Sequence, residues 1–152
     1  MRKNRTIMKR RKARAIVLQA LFEIDTSNHS LEVDSERLLE KSTLPDIHSI
    51  FVIDLAYGIR DNMSAIDDII EKHAPAWPIE DLSIIDRNIL RMAIYQLKFD
   101  PEPPPKIVAN EAVELAKLFG ADGSARFVNG VLGSILRDMT GQELEKNSKY
   151  TQ

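Results

Sequence analysis

"EDLSIIDRNILRMAIYQLKF", residues 80 to 99, decides the fold. Apolar side chains fall at 82, 85, 89, 92 and 93, and again at 90, 94 and 97, which is helical spacing around more than half of the cylinder. A helix apolar on that much of its circumference needs other helices on several sides, so this one is predicted to be central and buried. The rest of the chain supplies them. Residues 46 to 62 place Ile47, Ile50, Phe51, Leu55 and Ile59 at helical spacing, and Ser64 can cap a following short helix with Ile66, Ile69 and Ile70. Asp34 or Ser35 can cap another short helix that ends near Lys41.

Downstream, "DPEPPP" (100 to 105) fixes backbone angles, removes donors and reads as an extended surface loop. A helix resumes near Lys106 with Ile107, Ala112, Val113, Leu115, Ala116 and Leu118 on its apolar side, and Gly120 stands where a left-handed C-cap belongs. Ser124 can cap a last helix holding Phe127, Val128, Val131, Leu132 and Ile135. No segment alternates with period two. The fold class is therefore all-α, a compact bundle of about six or seven helices. With 152 residues, one domain spanning 9–140 is expected, between a flexible basic arm (1–8) and a polar tail (141–152).

Composition narrows the function. Cysteine is absent, which removes disulfides and thiolate chemistry and fits a reducing cytoplasm. No run of apolar residues is long enough for a membrane span, so no membrane partner is expected. The chain has no phosphate-cradling glycine loop, no HExxH and no GxSxG. His29, His48 and His73 are scattered, and the pairs Asp67/Asp68 and Glu111/Glu114 look like solvated helix faces. An enzyme, a cofactor and a metal site all lack support.

Charge carries the functional signal. The net charge is only −2, yet the first 14 residues hold eight Lys and Arg and no acid. The remainder is correspondingly acidic, so a polyanion would be drawn to one end and repelled elsewhere. "KRRKARAIVLQALFEID" (9 to 25) runs from that basic block into an apolar helix with Ala13, Ile16, Val17, Ala20, Leu21 and Ile24 on one face. At about 100° per residue, Arg10, Arg11 and Arg14 group together and Lys12 stands apart. Cations at a helix start oppose the macrodipole, by several tenths of a kcal/mol each, so a purely structural helix would favour acids there. Arginine forks suit phosphates and base edges. Leu18 and Phe22 form a second apolar stripe on this helix, to be covered by more helices or offered to a partner. Phe127, beside Arg126 in the first turn of the last helix, reads either as core or as a stacking platform for bases.

Four segments, "RRKARAIVLQALF", "IDRNILRMAIYQL", "VANEAVELAKLFG" and "SARFVNGVLGSIL", occur in that order over about residues 9 to 137 and together resemble the transcription antitermination factor NusB family. The resemblance implies an all-helical RNA-binding protein that joins ribosomal protein NusE on single-stranded boxA RNA and serves the transcription elongation complex on ribosomal RNA operons. It assigns Arg10, Arg11, Lys12 and Arg14 to the basic RNA-binding run and Phe127 to the RNA surface. Phe22 and Asp86 match positions for NusE. Gly123 departs from the acidic residue expected directly before Ser124. The rival readings are a helical module akin to that of rRNA methyltransferases, for which a cofactor domain has no room here, and a self-associating scaffold with Leu18 and Phe22 as a homodimer seam.

Overall fold

The computed structural model describes the backbone of residues 2–100 and 103–150, and the side-chain surroundings of 10–100 and 103–142. Within them lie seven α-helices: α1 (Arg2–Thr26), α2 (Leu31–Lys41), α3 (Asp46–Asp61), α4 (Met63–His73), α5 (Ile84–Phe99), α6 (Pro105–Phe119) and α7 (Ser124–Tyr150). A 3-10 turn, Ile79–Asp81, leads into α5, and no strand occurs among the described residues. The expected arm and tail fall mostly outside the residues whose side chains are described; their backbone continues α1 and α7 past the expected limits of 9 and 140.

The stretch that decided the fold is indeed the centre. α5 packs against α1, α3, α4, α6 and α7, and its Ile89, Leu90, Met92, Ala93 and Ile94 are buried in one continuous core. It starts at Ile84 rather than Glu80, because the Ser83 hydroxyl accepts the Asp86 N–H at 3.0 Å and closes the first turn. Similarly, α2 is capped by Ser30, whose hydroxyl accepts from the Val33 amide, while Asp34 and Ser35, the expected caps, are buried inside it. Asn62, not Ser64, precedes α4.

Three further differences have plain causes. Ile47, Ile50, Ile107 and Leu118 share helical spacing with core residues but are exposed, since α3 and α6 bury narrower stripes than their sequence offers. Gly120 is not left-handed (φ −86°); a Cβ there would lie 2.5 Å from the Ser124 Cβ, so it is small for closeness. The positive φ belongs to Gly123, at +90°. Ser124 is the first residue of α7 rather than its cap, and its hydroxyl accepts the Ala121 N–H at 3.0 Å.

Candidate nucleic-acid interface

Helix α1 buries Ala13, Arg14, Val17, Leu18, Ala20 and Leu21 between α2, α3 and α5. Arg14 lies three, four and seven residues before Val17, Leu18 and Leu21, so helical periodicity turns it into the core stripe. It is 4% exposed, and this corrects the expectation that it shares an open surface with Arg10 and Arg11. It lines a small void together with Ile89, Met92, Ala93, Val108 and Leu115, and its guanidinium carbon lies 5.8 Å from the centre of the Phe51 ring. Burial pushes its pKa below the ordinary arginine value, and its Nε has no hydrogen-bond partner.

Arg10 sits one turn earlier on the same stripe and is partly exposed, and its guanidinium also lies over Phe51, at 5.7 Å. The ring's negative face holds the cation by its apolar side and leaves its donors to other partners. Neither Arg10 nor Arg14 is ion-paired among the described residues. Arg11 turns the other way. Its Nε and one terminal nitrogen each donate to Glu111 of α6 at 2.9 Å, a bidentate pair that raises the Arg11 pKa and holds the Glu111 carboxyl below its usual range. Lys12 is exposed. The expected cluster of three guanidinium groups is thus divided: Arg10 and Arg14 on Phe51, Arg11 on Glu111.

The second apolar stripe of α1 also divides. Leu18 is 2% exposed, covered by neighbouring helices, which corrects its assignment to a partner surface and removes half of the expected homodimer seam. Phe22 is half-buried one turn later. Farther along this side, Arg11, Lys12 and Ala15 face Leu115, Leu118 and Phe119 of α6 across a hollow of about 250 Å³. Leu118 and Phe119 are both exposed, although Leu118 fits the helical apolar pattern of the sequence.

Asp25, three residues beyond Phe22, accepts from Arg87 at 3.1 Å, from Asn88 at 2.8 Å and from Arg91 at 3.2 Å. Arg91 also grips Asp67 of α4 through two bonds of 2.8 and 3.0 Å. This polar network ties α1, α4 and α5 and went unread in the sequence, where Arg91 and Asn88 sit inside an apolar run. It fixes the start of α5, and with it Asp86, at the same end of the bundle as Phe22.

Asp86 and Phe127 share one hollow of about 310 Å³ with Trp77, Leu82, Asp122 and Gly123. Asp86 Oδ1 is buried there with no hydrogen-bond partner. Phe127 is half-buried against the core and Arg126 is exposed. The Phe127 hollow and the Arg10 end are separated by most of α1: Arg10 to Asp25 is ~22 Å at 1.5 Å per residue. Nothing joins Phe127 to Arg10, Arg11 or Arg14 among the described residues. Gly123, which lines the same hollow, has open space where a Cβ would be built.

Comparison with known proteins gives one consistent answer. The NusB family model matches residues 11–137. The chain is 47% identical over 126 residues to the transcription antitermination protein NusB of Dehalococcoides mccartyi, covering 83% of this chain and 88% of that one. Among solved structures it is similar to T. maritima NusB, with a TM-score of 0.79 and 36% identity over 84% of this chain and 90% of that one. It is also similar to a chain in the crystal structure of antitermination factors NusB and NusE in complex with dsRNA, with a TM-score of 0.77 and 26% identity over 86% and 98%.

Proposed function

The chain belongs to the NusB family of transcription antitermination proteins, and from that premise we propose that it acts by binding boxA RNA of ribosomal RNA operons together with NusE. The observation that carries the RNA half is Arg10: a partly exposed cation in the N-terminal half of α1, braced on Phe51, with no carboxylate partner among the described residues. Lys12 adds an exposed charge beside it, and Arg11 contributes the donors that Glu111 leaves free. Arg14 acts from below by setting the Phe51 ring. Arg126 and Phe127 serve the same RNA farther along the bundle. The complex of a similar chain with NusE and RNA supports this reading.

NusE docks at the other end of α1, on Phe22 and on Asp86, whose orphaned oxygen awaits a donor. Phe127 and Asp86 line one hollow, so RNA and NusE meet there. The role is binding rather than catalysis, with the transcription elongation complex in the cytoplasm as its setting. No helix among the described residues is long and apolar enough to cross a membrane.

Titration with labelled boxA RNA and with a scrambled strand of equal length, each with and without NusE, tests this. Preference for boxA, increased by NusE, is expected. Equal affinity for both strands under both conditions overturns it.

A further inference from the structure

A cavity close to Arg10 has no role in the reading above. It measures about 490 Å³ and is lined by Phe51, Asp54 and Tyr57 of α3 and by Tyr95, Phe99 and Asp100 at the end of α5. Tyr95 and Phe99 stack with ring centres 5.6 Å apart, one turn from each other on α5. Phe99 is 46% exposed. Gly58 makes room for this arrangement, since a Cβ there would meet the Tyr95 hydroxyl at 2.2 Å and ring carbon Cζ at 2.3 Å. A glycine inside a helix costs about 1 kcal/mol relative to alanine, so the seat of Tyr95 is kept against the propensity of α3.

Two cations stand over rings that line the cavity. Arg10 lies over Phe51, with buried Arg14 beneath the same ring, and Arg60, ion-paired with Glu32 and Asp61, lies over Tyr57 at 4.7 Å. Aromatic walls beside the Arg10 guanidinium suit a flat, neutral ring attached to an anionic chain, and Asp54 supplies an acceptor for a ring amine. A cationic side chain would also find Asp54, but it would have to enter beside the Arg10 guanidinium.

We infer that this cavity is a nucleobase pocket, in which one unpaired base of the RNA held by Arg10 stacks on the Tyr95–Phe99 pair. The inference rests on the RNA-binding reading and names a contact that reading lacks. Phosphate contacts supply affinity without sequence; a base in this pocket gives the Arg10 end its own means of reading the strand.

The test uses the full-length protein, boxA RNA carrying 2-aminopurine at one position at a time, and the Phe99→Ala variant. In the wild type, one position is expected to lose fluorescence on binding, as stacking requires. Phe99→Ala should abolish that quenching and weaken binding between about fivefold and about a hundredfold, the worth of one base–aromatic stack, with the salt dependence of binding unchanged. Circular dichroism melting confirms that the variant is folded, and Tyr57→Leu, which removes a second wall, gives an independent loss. Unaltered affinity and quenching in both variants, with Arg10→Ala still weakening binding, overturns the pocket and leaves the RNA reading standing. If an arginine-rich peptide occupies the cavity in a Phe99-dependent way while RNA affinity ignores Phe99, the pocket belongs to a protein and the inference falls. Absence of any RNA binding by the wild type overturns both.

Discussion

Arg91 and Arg10 are both arginines on long helices, yet the fold treats them oppositely. Arg91, in the middle of α5, is buried and spends its donors on Asp25, Asp67 and Asn88. Arg10, in the N-terminal half of α1, rests on an aromatic ring and is matched with no carboxylate among the described residues. The first is neutralised within the molecule and holds three helices in register. The second is partly exposed and keeps its charge unpaired among the described residues. Arg11 lies between them, paired with Glu111 but still 40% exposed at its side chain.

Breaking the internal arginine has the largest expected effect. Arg91→Ala leaves Asp25 and Asp67 without their shared partner and should lower unfolding free energy by about 3 kcal/mol in urea denaturation, the low end for breaking a buried pair because both carboxylates keep some solvent. Its RNA affinity, measured under conditions where it remains folded, should stay at the wild-type level.

Phe22→Ala comes next. It should weaken NusE binding by about 2 kcal/mol in isothermal titration, as for an aromatic anchor, and leave binding of RNA alone unchanged. An equal loss for RNA alone would place Phe22 on the wrong surface.

Arg11→Ala should have the smallest effect on stability, up to about 1 kcal/mol, because the pair is open to solvent on the arginine side. The effect depends on pH in a definite direction. The hydrogen bond from Arg11 lowers the Glu111 pKa in the folded state, so its contribution is complete above the ordinary carboxylate value of about 4.5 and is lost as pH falls through the lower folded value. Wild type and Arg11→Ala should therefore differ in melting temperature near neutrality and converge in acid. A constant gap across that range would show that the pair contributes nothing through charge.

The same contrast explains what could be read from the sequence. Apolar periodicity located α5 and the core faces of the other helices, because burial follows a 3.6-residue period whatever the partners. It left Leu18 open between core and partner, and the helical wheel put Arg14 on the surface, as a single helix cannot reveal how many neighbours cover it. α1 is enclosed by α2, α3 and α5, so residues on two stripes are buried rather than one. Charge along the chain located the basic end but could not show that Arg11 is claimed by Glu111, a hundred residues away. The Asp25–Arg87–Arg91–Asp67 network was hidden for the same reason. Phe51, which braces Arg10 and Arg14, looked like one more apolar residue of α3.

The most direct measurement is the salt dependence of RNA affinity for wild type, Arg10→Ala and Arg91→Ala. For single strands the log–log slope falls by about 0.7 for each phosphate that the protein ceases to neutralise. The account predicts a slope reduced by about that amount for Arg10→Ala, with the wild-type slope retained by folded Arg91→Ala. Identical slopes for wild type and Arg10→Ala would contradict it, because the charge kept free by the fold would then meet no phosphate.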